Sequence, residues 1–195
     1  MQTYSDLLRD KVHSQITYQN LLLTNEWSIK RDQIINRDNK RCTKCKLSPT
    51  GSYAHFDEVK KEYSYITDDG SEYIQHVKNN EGLIVQESVP RIIITDKHYH
   101  LQVHHKYYIS NKLPWDYENT ALITLCNWCH TDVHKNETII MYTDESLNDF
   151  ENLISCRRCD GSGYIPEYSH FQGGVCFECQ GNRFNKSLFE IKKEH

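Results

Sequence analysis

All eight cysteines of this chain fall into four C-x-x-C pairs: Cys42 and Cys45, Cys126 and Cys129, Cys156 and Cys159, Cys176 and Cys179. A two-residue spacing is what a tight turn needs to aim two thiolates at one tetrahedral metal. Thioredoxin-like redox pairs share the spacing, but no βαβ pattern surrounds any of the four. Four knuckles therefore supply two structural four-cysteine zinc sites. Cys156/Cys159 and Cys176/Cys179 lie close together in a Gly-rich tail and are expected to share one zinc, leaving Cys42/Cys45 to join Cys126/Cys129 across roughly eighty residues. Closing so long a loop restrains the unfolded chain.

Thiolate sites of this kind need a reducing compartment. The first residues, MQTYSDLLRDKVHSQ, alternate charged and apolar side chains without the apolar core of a secretory signal. No run approaches the roughly 18 apolar residues that span a bilayer. The expectation is a cytoplasmic protein with no membrane partner. A net charge of -4 disfavours a general nucleic-acid binder, yet charge is unevenly placed. Residues 27 to 46 carry seven Lys or Arg against two Asp, whereas residues 54 to 90 carry three against eight Asp or Glu. One segment can face phosphates, and the other cannot.

The apolar spacing of Tyr4, Leu8, Val12 and Ile16, with Thr3 as N-cap, predicts one amphipathic helix over about residues 4–24. A second is expected over about 26–37, with Trp27, Ile34 and Ile35 on one face. Residues 53–99 are rich in Tyr, Thr, Ile and Val with turn signals at DDG and NNEG, and read as short strands and hairpins. The segment from Leu101 to His134 reads strand, loop, strand, helix. Leu101–Val103 is a β run ending in His104 and His105; Ala121–Leu125 is a second; and a helix starts at Cys126. On that helix His130 and His134 stand four apart and share a face, so they can grip one metal with a third ligand from the strand end.

This segment resembles the ββα-metal motif of the HNH endonuclease family, in particular its colicin DNase branch, and the flanking knuckles resemble those of zinc-stapled bacterial HNH proteins. The resemblance covers about residues 26–47 and 101–136. It implies that His104, His130 and His134 ligate a catalytic divalent metal, that His105 is the general base, and that Asn119 orients the base. Asn119 stands seven residues before Cys126, farther than is usual in the family. The implied metal is Mg²⁺, with Mn²⁺, Ni²⁺ or Zn²⁺ as substitutes, and the implied substrate is double-stranded DNA. Nothing indicates a protein partner or homo-oligomer. Rival readings are half of a C2H2 finger, whose Cys-to-His gap would be about twelve residues; c-type haem attachment through CNWCH; and a non-catalytic zinc adaptor.

The tail CRRCDGSGYIPEYSHFQGGVCFECQGNR resembles the C-x-x-C-x-G-x-G zinc modules of DnaJ-type chaperones, with half the usual repeats; its second knuckle has Arg183 where the final glycine belongs. A chaperone-like peptide binder lacks its other parts here. Arg157, Arg158 and Arg183 with Tyr164 and Phe171 would suit phosphate and base contacts. The expected fold is α+β: N-terminal helices, a zinc-stapled ββα-metal core within residues 1–150, and a zinc hairpin over 151–195.

Overall fold

The computed structural model describes residues 2–10, 16–50, 53–66, 72–168, 170–171 and 174–189. The fold is α+β, with N-terminal helices and two separate four-cysteine clusters. Among the described residues no helix is long and apolar enough to cross a membrane.

Helix α1 (Tyr4–Asp10) is capped as expected: Thr3 Oγ1 accepts the Asp6 N–H (3.2 Å), and the Asp6 carboxylate accepts the Thr3 N–H (3.1 Å). A single helix over 4–24 does not form. Thr17 is extended (φ -96°, ψ 163°) and donates its N–H to Asn20 Oδ1 (3.0 Å), so a separate short helix, α2 (Tyr18–Leu21), begins there. The capping preference of Thr and Asn prevails over the apolar periodicity. Val12, placed on the expected apolar face, lies outside the described residues, while Ile16 is buried. Helix α3 (Asn25–Arg37) starts one residue before the expected Glu26 and buries Trp27 and Ile34, two turns apart on one face.

The β-rich stretch contains strands β1 (Tyr53–Asp57), β2 (Glu62–Ile66), β3 (Glu72–Lys78), β4 (Ile84–Pro90) and β5 (Ile92–Thr95). They form an antiparallel β1-β2-β5 sheet and a β3-β4 hairpin. The NNEG turn closes that hairpin: Asn79 Oδ1 accepts from the N–H groups of Glu81 and Leu83, and Gly82 takes a positive φ of 81°. The DDG turn lies outside the described residues.

At the centre, β6 (Leu101–His105) pairs antiparallel with β8 (Leu122–Cys126), placing His104 opposite Ile123 and His105 opposite Leu122. Ala121 belongs to a short 3-10 turn, so β8 begins one residue later than expected. Helix α4 (Asn127–Asn136) follows at once, capped by Cys126, whose sulfur accepts the Cys129 N–H. The outer edge of β8 is occupied by the region after α3. Asp38 Oδ2 accepts the Thr124 N–H (2.9 Å), the Thr43 N–H reaches Thr124 O (2.8 Å), and Arg37 donates to the Leu122 carbonyl (2.8 Å).

A second sheet has the order β10-β9-β7, from β7 (Tyr108–Ile109), β9 (Ile139–Tyr142) and β10 (Phe150–Leu153). The expected boundary near residue 150 coincides with β10. Beyond it, Phe184, Leu188 and Phe189 are buried in the same core as Leu7, Tyr18, Leu125 and Val133. Each large side chain fully buried there contributes on the order of 1.5–3 kcal/mol, so the tail completes the core of the body.

Candidate metal centres and active site

The fold gathers the cysteines in the expected pairing: Cys42, Cys45, Cys126 and Cys129 form one cluster, and Cys156, Cys159, Cys176 and Cys179 the other. Sulfur separations are 3.7 Å for Cys45–Cys126, 3.9 Å for Cys156–Cys176 and 3.7 Å for Cys159–Cys179. A regular tetrahedron with metal–sulfur bonds of about 2.3 Å has edges of about 3.8 Å, whereas a disulfide needs about 2.05 Å. The donor set therefore fits zinc. Backbone N–H groups turn onto the sulfurs as knuckles require, from Cys45 to Cys42 and from Cys129 to Cys126 at 3.4 Å, and from Gly163 to Cys159 at 3.3 Å. Gly163 does so with a φ of 72°, which glycine adopts at little cost. Burial pushes the Cys42 thiol up, but N–H groups of Cys45, Cys126 and Lys44 bring it down to about 7, favouring the thiolate a metal needs.

A third cluster joins His104, from the end of β6, to His130 and His134, one turn apart on α4; their ligating atoms lie within 4.8 Å of one another. Ring centroids are 5.2 Å apart for His104–His130, 5.1 Å for His104–His134 and 4.6 Å for His130–His134. All three are buried. Nδ1 of His104 and both ring nitrogens of His134 have no hydrogen-bond partner among the described residues. Such orphaned buried nitrogens are costly unless they ligate an ion. Burial pushes His104 down to about 4 and His134 to about 3, and holds His130 well below its ordinary value, so all are neutral ligands near pH 7. Among the described residues the cluster offers three donors, one fewer than a closed tetrahedral site uses.

His105 faces the other way, because consecutive residues of a strand point to opposite sides. It is enclosed by aromatic rings: Trp27 stacks on it at 5.2 Å, Tyr108 at 5.2 Å from the other side, and Tyr117 meets it edge-on at 4.7 Å. Its Nε2 lies 3.2 Å from the Pro114 carbonyl and 3.3 Å from the Tyr18 hydroxyl. A carbonyl can only accept, so Nε2 carries the proton and Nδ1 holds the lone pair. Burial, opposed by the Pro114 hydrogen bond, brings its pKa down to about 3. Asn119 is exposed in the 3-10 turn, and its backbone carbonyl accepts from Arg37. Its side chain makes no hydrogen bond to His105 among the described residues. The groups that meet His105 Nε2 are the Pro114 carbonyl and the Tyr18 hydroxyl.

The tail closes against the histidines. A Cβ on Gly161 would lie 2.7 Å from His134 Nδ1, Ser155 Oγ donates to the His134 carbonyl (3.1 Å), and the Phe184 ring sits 5.8 Å from that of His134. The aromatic enclosure of His105 and the role of Gly161 escaped the sequence, since both depend on contacts between distant segments. Comparison with protein families, curated proteins and solved structures finds no match for this chain, so its function is argued from its own geometry. On that geometry the chain is a metal-binding protein, with three metal-chelating clusters among the described residues.

Proposed function

We propose that this chain is a metal-dependent HNH-type endonuclease that hydrolyses phosphodiester bonds, with double-stranded DNA as substrate, a ββα core formed by β6, β8 and α4, and structural zinc in both cysteine clusters. One observation carries the reading: three neutral buried imidazoles converge with no fourth protein ligand among the described residues, and the next residue of the strand is a histidine whose lone pair is on Nδ1. A divalent cation bound there supplies stabilisation of the negative charge that develops on the phosphoryl and leaving oxygens. Uncatalysed phosphodiester hydrolysis is slow enough that the site must remove on the order of 20 kcal/mol of barrier. In this reading His104, His130 and His134 hold the cation. His105 Nδ1 takes a proton from water as its oxygen bonds to phosphorus; the opposite P–O ester bond breaks, and the leaving oxygen is protonated by solvent. The Pro114 carbonyl fixes the tautomer that this step needs. Lys40 and Arg41, exposed just after α3, are members of the basic stretch that can face a phosphate backbone; Arg31 and Arg37 hydrogen-bond to the Leu101 and Leu122 carbonyls.

A specific observation favours a second reading, a non-catalytic zinc adaptor: His105 is only 1 % exposed, which suits a packing role. His105→Gln separates the two. Glutamine can keep a donor toward Pro114 but has no basic nitrogen. With supercoiled plasmid and Mg²⁺, Mn²⁺ or Ni²⁺, the nuclease reading expects wild type to nick or cut and the variant to be at least about 10²-fold slower. Equal rates in both proteins, or no cleavage of DNA or RNA by wild type with any of these ions, would leave the adaptor.

A further inference from the structure

We propose that the C-terminal zinc module binds a single-stranded stretch of nucleic acid, with bases stacking on the exposed rings of Phe177 and Tyr168 and a phosphate meeting the Arg158 guanidinium. Such binding needs no chemistry at the histidine site.

The knuckles set the geometry. Arg158 lies between Cys156 and Cys159, and Phe177 between Cys176 and Cys179. These four cysteines converge in one cluster, so a zinc ion there fixes both knuckle tips at once. The guanidinium carbon of Arg158 lies 3.6 Å from the centre of the Phe177 ring. Tyr168 meets the same ring edge-on at 6.1 Å, and His170 lies 6.4 Å from Tyr168. The loop that carries Tyr168 is held by its own turns: the Tyr168 N–H donates to Ile165 O (3.1 Å), and the Phe171 N–H to Tyr168 O (2.9 Å). The rings fill no core. Phe177 is 51 % exposed and Tyr168 43 %, and contiguous exposed aromatic surface on a rigid frame marks an interaction site. Tyr164, a candidate on sequence grounds, lies against Gly174, where a Cβ would come within 2.4 Å of its ring.

Charge names the partner. No carboxylate pairs with Arg158 among the described residues, where the tail's ion pairs are Lys135–Asp160 and Lys186–Glu151. Glu178 lines a cavity with Arg157 and Lys186 that Arg158 and Phe177 do not border. Glu167, exposed just before Tyr168, repels a phosphate and places the nucleic-acid backbone on the Arg158 side of the row. A guanidinium lying over a ring keeps N–H groups for phosphate oxygens, while flat rings beside it offer stacking faces. An acidic peptide would satisfy Arg158 and leave the rings without flat partners, whereas a nucleic-acid strand satisfies both. In a duplex the base faces are already stacked and only edges are presented, so the strand that fits is single.

The test uses the full chain with its two zinc ions and no other divalent metal, so that nothing is cleaved. Fluorescence anisotropy follows labelled oligothymidylate, oligouridylate and a mixed-sequence duplex, each of about 12 nucleotides per strand. Phe177→Leu and Tyr168→Leu keep apolar side chains without the flat face, and Arg158→Gln removes the charge; zinc content is measured for each. We expect wild type to bind a single strand more tightly than the duplex, with the DNA and RNA arms deciding which strand it takes. Phe177→Leu should weaken single-strand binding by about tenfold or more and leave duplex binding unchanged, with a smaller loss in Tyr168→Leu. Arg158→Gln should lower the slope of log affinity against log salt by about 0.7, the share of one phosphate. Single-strand binding within about twofold of wild type in Phe177→Leu overturns the inference, as does an unchanged salt slope in Arg158→Gln. Should Phe177→Leu lose zinc, Tyr168→Leu, outside both knuckles, decides in its place. Phe177-dependent binding of an unfolded, carboxymethylated polypeptide, with no oligonucleotide bound, overturns it in favour of a peptide site. Strand binding through Phe177 in a protein that nicks no plasmid leaves the inference standing and removes the nuclease reading; nicking without strand binding does the reverse.

Discussion

The two four-cysteine clusters use the same chemistry for different ends. Cys45 and Cys126 are 81 positions apart, and their cluster fastens the segment after α3 to the start of α4. Cys156 and Cys176 are 20 apart, as are Cys159 and Cys179, so their cluster folds one loop onto itself. The first holds the body together. The second holds up a surface, and that surface sets Gly161 against His134. Sequence separation, more than ligand identity, decides whether such a site acts globally or locally.

The comparison is tested most severely by removing one ligand from each cluster. Structural zinc contributes about 10–16 kcal/mol, as much as the whole stability of a typical domain. Cys126→Ser should therefore leave no cooperative thermal transition and collapse near-ultraviolet circular dichroism. Cys179→Ser should keep a cooperative transition at a lower midpoint, with one zinc per chain by metal analysis, and should lose plasmid nicking. If Cys179→Ser also abolishes the transition, the tail is as global as the first cluster and the contrast fails.

The next largest effect is on pH dependence. Burial depresses His104 to about 4, His105 and His134 to about 3, and His130 well below the ordinary 6.5. Between those values and 6.5 the unfolded chain binds more protons than the folded one. Stability of protein stripped of the histidine-held ion is thus full above pH 6.5 and lost as pH falls, by about 1.4 kcal/mol per pH unit for each imidazole. Urea midpoints measured from pH 7.5 to 5 should fall; a flat profile would mean that the histidines are not buried neutral. Brief chelation should remove that ion and abolish nicking, leave two zinc ions per chain, and permit rescue by Mg²⁺, Mn²⁺ or Ni²⁺.

Gly161→Ala is a smaller perturbation at the join of the two regions. It places a methyl group against His134 at a φ of 75°. The expected cost is about 1–3 kcal/mol of stability, together with weaker Co²⁺ binding at the histidine site. Stability lost without any change in Co²⁺ affinity would detach the tail from the metal. Smallest of all is Lys44→Ala, which removes exposed ion pairs to Asp132 and Glu137 that also bridge the first knuckle and α4. Exposed pairs contribute little, so the melting midpoint should not change measurably.

Much of the metal chemistry was legible because its signals are local. Two-residue cysteine spacing and the His130–His134 repeat are written within single turns, and cluster pairing followed from proximity along the chain. The expected helix over 4–24 is divided because the Thr17–Asn20 capping interaction starts a new helix just after the apolar repeat of Tyr4, Leu8, Val12 and Ile16 ends. The resemblance offers Asn119 as the group that orients His105, while the contact of His105 Nε2 with the backbone carbonyl of Pro114 is one that residue identity cannot reveal.

The long separation between Cys45 and Cys126 also has a consequence in time. At synthesis rates of about 5–20 residues per second, the first knuckle waits roughly 4–16 seconds as a two-sulfur half-site before its partners are made. Cys126 and Cys129 are then completed roughly 1–6 seconds before Cys156 and Cys159. During that interval the only knuckle open to Cys42 and Cys45 is the native one, so the order of translation itself selects the pairing against the two tail knuckles that could compete for it.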